Sequence, residues 1–213
     1  MLSSVYEAAL LVVLWGSYLR FAAVMLASVR TFRNRRSFVS FRSGWRELLV
    51  VPEPFLLAGA TYLLHVGEFE DAASSSATVA GALAGVALVL VAWGLTIGSF
   101  LSWRSVFTGH GVLADHQLVT RGAYGLVRHP IYLGVFLMWL GLALAFASVA
   151  VLLITVLYVI PSYLLYMQAE EEMMMGAFGD AYREYRRAVP MLIPWLGARP
   201  CSQADLRRGP FLE

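Results

Sequence analysis

The chain has 213 residues, 59% of them hydrophobic and 14% charged, against about 25% charged in an ordinary soluble domain, so its composition is that of an integral membrane protein. The formal net charge of +2 gives no reason to expect a nucleic-acid partner, and the single cysteine, Cys201, leaves no internal disulfide or cysteine metal cluster within the sequence. Every base other than histidine is arginine, which excludes Schiff-base or P-loop lysine chemistry and points to a GC-rich, plausibly bacterial genome.

Leu2–Val29 carries only Glu7 and Arg20 as charges. About 20 apolar residues cross a hydrocarbon core, so this run reads as a first span. It lacks the basic n-region of a cleavable signal peptide and is too long for an h-region, so it is expected to be retained. Arg20 lies deep in it. It either snorkels to the surface or marks a functional site.

Arg30, Arg33, Arg35, Arg36, Arg42 and Arg46 follow with no acid among them before Glu47. Arginine-rich short loops stay cytoplasmic, which sets the N-terminus outside. Leu48–Val66 is a shorter span whose helix is expected to start at Pro52 or Pro54, where a missing N–H costs nothing. Glu68, Glu70 and Asp71 then form an acidic outer loop. His65 sits at its edge. Thr78–Leu101 is 24 residues without a charge. Its Gly81, Gly85, Gly94 and Gly98 suit close helix packing in lipid.

His116–Gly134 is polar and turn-prone. Ile131–Met167 then runs 37 residues without a charge. That length fits two short spans in a tight hairpin broken near Ala147–Ser148, with Pro161 kinking the second arm. From Glu170 the chain is polar and periodic, with Phe178, Tyr182 and Tyr185 on one helical face. Pro190 and Pro194 end this amphipathic helix. The fold class is therefore an all-α integral membrane protein with about five transmembrane helices, the last two a tight hairpin, plus a cytoplasmic amphipathic helix. Three regions are expected: a two-span N-terminal part (1–77), a core (78–195) and a tail (196–213).

The central segment holds the chemistry. Gly122 and Gly125 allow turns around Tyr124. His129 resists the α conformation because Pro130 follows, and Pro130 suits the first turn of the next helix. His110, His116 and His129 lack the i, i+4 spacing of a helical zinc pair, so no metal is expected. No serine or cysteine sits in a nucleophile elbow. Two readings stay open from the residues alone: a ligand cradle, or Arg128 and His129 merely capping helices at the interface.

The string LVTRGAYGLVRHPIYLG, with EEEMMMGAFGDAYREYRRAVP at 170–190, resembles the paired signatures of the isoprenylcysteine carboxyl methyltransferase and phospholipid methyltransferase superfamily. The likeness covers roughly residues 85–195. It implies a membrane methyltransferase using S-adenosylmethionine. Carried over by position, the cofactor residues are His116, Gln117, Leu118, Val119, Tyr124, His129, Pro130, Tyr132 and Glu170. Glu170 would pair with the cofactor's amino group, the Leu118–Val119 backbone with its adenine edge, and the tyrosine faces with ring and sulfonium. His129, Arg128 and Glu171 carry the implied catalytic roles; His129 or Glu171 would take the proton of an amine acceptor.

One position departs. Isoprenylcysteine enzymes carry an arginine one turn before the acidic pair, where this chain has Tyr166, so the acceptor stays open between carboxyl O-methylation and amine N-methylation. The implied partners are the bilayer and a lipophilic acceptor, which would enter sideways along Ile131–Trp139 and the last span. The implied place is a bacterial inner membrane with a cytoplasm-facing site. A non-enzymatic scaffold or lipid-binding protein of the same fold, and an NADPH-dependent membrane reductase, are the rival functions.

Overall fold

The computed structural model describes residues 2–33, 38–41, 44–66, 76–102, 111–113 and 118–194. His110, His116, Gln117, the acidic loop at 68–71, most of the basic 30–42 loop and Cys201 lie outside the described residues or side chains. In chain order the elements are α1 (Leu2–Arg33), β1 (Phe38–Phe41), α2 (Trp45–Leu48), α3 (Glu53–Val66), α4 (Ser76–Ser102), β2 (Gly111–Leu113), α5 (Ala123–Leu126), α6 (Pro130–Ala145), α7 (Val149–Ile154), a π-helical turn (Thr155–Val159) and α8 (Ile160–Ala188). The short strands pair antiparallel, Phe41 opposite Gly111. Everything else regular is helical.

Three helical runs are long and apolar enough to cross a membrane: Ser3–Val29, Ser76–Ser102 and Val149–Ala188. Pro130–Ala145 is a shorter apolar helix. The molecule is a membrane protein, and its side chains are sorted accordingly. On α4 the buried positions are 79, 82, 85, 89, 92, 96, 99 and 102, one helical stripe of small or hydroxylated residues and valines. Large apolar residues such as Leu83, Leu90, Val91, Ile97 and Leu101 face outward. Lipid solvates leucine well, so small residues take the helix contacts where close backbone approach gains dispersion energy.

The chain forms two compact units, residues 1–23, 44–94 and 134–166 in one, and 24–43, 95–133 and 167–213 in the other. In the first unit Gly85 lets α4 touch α6: a Cβ there would sit 2.6 Å from the Gly141 carbonyl oxygen and 2.8 Å from the Ala145 Cβ. Gly81 approaches the Leu144 carbonyl in the same contact. A Cβ at Gly98 would meet the Ala123 Cβ at 3.4 Å, whereas Gly94 packs against nothing within 4 Å, so three of the four glycines sit at close contacts.

The α6–α7 turn falls at Phe146–Ser148. Ala147 takes φ +47° and the Ser148 N–H donates to the Ala143 carbonyl at 2.9 Å, which closes α6 with a left-handed cap. Ser148 then caps α7, its hydroxyl accepting from the Val151 N–H at 3.3 Å. Ahead of Pro161 the helix opens into the π turn at Thr155–Val159, which absorbs the register lost with the proline's missing N–H.

The first unit also buries a polar cluster. Glu53, the first residue of α3, is 5% exposed and accepts from the Trp139 indole (3.3 Å) and from the Tyr163 hydroxyl. Arg20 is 1% exposed, so it does not snorkel. Its Nε donates to the Ala92 carbonyl at 3.4 Å. The guanidinium packs where Gly134 has no side chain; a Cβ there would lie 2.6 Å from Nη2.

Candidate active site

In the second unit, α8 changes character at Gly179. Its φ of +54° and ψ of −122° suit glycine and interrupt an otherwise continuous helix. This explains the Phe178–Gly179 pair in the sequence. Beyond it, Tyr182, Tyr185 and Val189 form a buried cluster, with Leu118, Met174, Met175 and Phe178 packed around it.

The segment before α6 is fastened to the end of α8. The Arg128 N–H donates to the Pro190 carbonyl at 2.9 Å and the His129 N–H to the Met191 carbonyl at 3.2 Å. The Arg128 guanidinium reaches the same turn, with Nη1 donating to the Arg186 and Val189 carbonyls at 3.1 and 2.5 Å. Its Nε donates to Glu171 Oε1 at 2.7 Å. Carbonyls at a helix C-terminus lack intrahelical partners, so a guanidinium is a natural cap for them.

Glu171 is the hub. Oε1 also lies 3.2 Å from His129 Nε2, and Oε2 is 3.2 Å from Arg186 Nε. The side chain is 7% exposed. Three cationic donors on one carboxylate keep it ionised and make it a poor proton acceptor. The other face of the imidazole meets Glu170, with Nδ1 3.6 Å from Oε2. His129 therefore lies between two carboxylates, and its ring stacks on Tyr132 at 5.6 Å and 25°.

Burial alone would push the His129 pKa down, but hydrogen bonds and charge from Glu170 and Glu171 outweigh it and hold it above the ordinary histidine range. The stability this gives is fully present below pH about 6.5, the ordinary unfolded value, and is lost as the pH rises through the folded pKa. Thermal unfolding in detergent should thus show a midpoint falling from pH 6 towards alkaline pH. The fall should shrink in His129→Gln; an equal fall in that variant would rule out His129 as its source.

Of the residues singled out in the sequence, Arg128, His129, Pro130, Tyr132, Glu170 and Glu171 come together here. Leu118 and Val119 are half-buried, and Leu118 packs on the tyrosine cluster. Tyr124 is half-buried in α5. Arg186, which pairs with Glu171, and Tyr185, placed by the sequence only on an apolar helical face, lie beyond the break at Gly179 and join this part of the chain. Thr120 is 2% exposed, and its hydroxyl has no hydrogen-bond partner among the described residues. Two tyrosines, a buried hydroxyl and a carboxylate with 19% of its side chain exposed fit an adenosyl amino acid: faces for a ring, a hydroxyl for a polar edge, a negative charge for an amine.

The Arg-His-Pro turn at 128–130 thus lies against the acidic pair Glu170–Glu171. Residues 80–181, a little under half of the chain, match the phospholipid methyltransferase family. It is 38% identical over 80 residues to a protein-S-isoprenylcysteine O-methyltransferase of Schizosaccharomyces pombe, covering 38% of this chain and 34% of that one. It is 37% identical over 81 residues to a methanethiol S-methyltransferase of Crocosphaera subtropica, covering 38% and 30%. A methanethiol S-methyltransferase of Bradyrhizobium diazoefficiens is 37% identical over 118 residues, covering 46% and 40%. The chain thus spans about a third of the length of these relatives.

Proposed function

We propose that the protein is an S-adenosylmethionine-dependent methyltransferase acting on a lipophilic or small apolar acceptor, with its site at the cytoplasmic face of a bacterial inner membrane. The observation that carries the reading is the His129 imidazole held between Glu170 and Glu171 beside Tyr132. The match of residues 80–181 to the phospholipid methyltransferase family and the methyltransferase names of the relatives support it.

The cofactor supplies a methyl group already activated on a sulfonium. The chain's task is to bind, orient and exclude water. Glu170 takes the amino group. Leu118, Val119 and the neighbouring His116 and Gln117 take the adenine side, and Tyr124, Pro130 and Tyr132 provide flat or apolar walls. Arg128 and Glu171 act by position: with Arg186 they fix His129 and the end of α8.

Two flanking carboxylates favour the imidazolium of His129, which makes the ring less apt to take the proton of an amine. Acceptors that need no base at the enzyme, a carboxylate or a thiolate, therefore fit best. Thiol S-methylation, the activity in the names of the Crocosphaera and Bradyrhizobium relatives, joins carboxyl O-methylation as a reading for this chain, with the thiol arriving as its thiolate after losing its proton to water.

The test is transfer of labelled methyl from S-adenosylmethionine to methanethiol, to an S-prenylated cysteine and to native membrane extract, with identification of the product. Label is expected on a thiol or a carboxylate. Label on a lipid amine would overturn the acceptor reading. Calorimetry with S-adenosylhomocysteine separates the enzyme from a scaffold, which should bind none. Displacement by NADPH would favour the reductase.

A further inference from the structure

We infer that Tyr185 and Ser102 are positioning residues for the cofactor, acting through Tyr124; this rests on the cofactor reading above. Tyr124 sits in α5, a helix of four residues. One turn cannot hold its own shape, because nucleation costs more than a single hydrogen bond returns. Its placement must come from its neighbours.

On one side stands Ser102, the last residue of α4. Its hydroxyl donates to the Gly98 carbonyl at 2.6 Å and accepts from the Ala123 N–H at 3.3 Å. The hydroxyl thus satisfies an orphan donor at the start of α5 while tying it to the end of α4. Gly122 makes this approach possible. It has φ +61° and ψ −131°, and a Cβ there would collide with the Ser102 hydroxyl. Glycine is required both for conformation and for space.

On the other side, the Tyr185 hydroxyl donates to the Tyr124 carbonyl at 2.7 Å. Tyr185 is 3% exposed, and its ring packs on Tyr182 at 5.9 Å with a 60° tilt. A ring so enclosed holds its hydroxyl in one place. The two contacts grip the backbone on either side of the Tyr124 Cα and so fix the direction in which its side chain leaves the chain. Both grips come from outside the motif that carries Tyr124, at sequence distances of 21 and 61 residues.

The experiment uses the full chain purified in detergent, with S-adenosylhomocysteine as the calorimetric probe and thermal unfolding as the control. Tyr185→Phe keeps the packed ring and loses only the hydroxyl. It should weaken binding on the order of five- to tenfold, the worth of one hydrogen bond, with the thermal midpoint almost unmoved. Ser102→Ala should act in the same direction, and the KM for S-adenosylmethionine should rise while kcat holds. Wild-type affinity in Tyr185→Phe overturns the inference and leaves the cofactor reading standing. A thermal midpoint that falls in step with affinity makes Tyr185 a packing residue only and also overturns it. A wild-type chain that binds no S-adenosylhomocysteine removes the cofactor reading and this inference together.

Discussion

Glu170→Gln should weaken S-adenosylhomocysteine binding about a hundredfold, the scale of a lost charge-assisted contact, without lowering the thermal midpoint. The neighbouring Glu171→Gln should do the reverse in kind, destabilising the chain first. The two carboxylates are adjacent in sequence and unlike in surroundings. Glu171 answers Arg128, His129 and Arg186 with both oxygens and is 7% exposed. Neutralising it strands two arginines and a histidine. Removing one partner of a buried pair costs about 3–5 kcal/mol, here at the low end because the Arg186 side chain is 45% exposed to solvent that screens it. Glu170 is 19% exposed and 3.6 Å from His129, and it is the carboxylate proposed for the cofactor's amino group. His129→Ala should likewise weaken binding strongly, in a chain that still folds but with a lowered thermal midpoint. Calorimetry and unfolding on the same preparations measure both effects. Wild-type binding in Glu170→Gln and His129→Ala would sink the assignment of the site.

The second large effect lies in the other unit. Arg20 and Glu53 interact electrostatically within the apolar interior. Glu53 is further held by Trp139 and Tyr163. Glu53→Leu would take the carboxylate's charge away from the buried guanidinium and remove the acceptor of the Trp139 indole and of the Tyr163 hydroxyl. A loss of about 3–5 kcal/mol is expected, from the removal of one ion-pair partner. Arg20→Leu/Glu53→Leu removes both charges and should lose less than the sum of the single changes. Unfolding of the four chains in one detergent gives the coupling. Strict additivity would mean that the two side chains do not recognise one another.

These two clusters differ in how far the sequence revealed them. Arg128, His129, Glu170 and Glu171 stand out because polar groups beside 37 uncharged residues have few reasons to be there. Their division of labour was not readable, because Glu171 becomes the hub only once Arg186 swings in beyond Gly179. Arg20 was conspicuous by depth, yet its partner was not. Glu53, flanked by Pro52 and Pro54, has the local pattern of an exposed helix start. Only tertiary contact with α6 and α8 buries it. The long apolar runs and the hairpin turn follow from hydropathy and length, which are local. The π turn and the Tyr185 contact depend on register and on a single positive φ, which hydropathy does not encode.

The fastening of Arg128 and His129 to the carbonyls of Val189, Pro190 and Met191 has a consequence for synthesis. A ribosome makes the chain from its N-terminus, so the turn at 128–129 emerges about sixty residues before the carbonyls that receive it. During that interval the helices of the hairpin are made and can insert while the arginine waits without its cap or its carboxylate. The turn at 128–129 thus reaches its final shape only when residues 186–191 have been made, after the hairpin that precedes them.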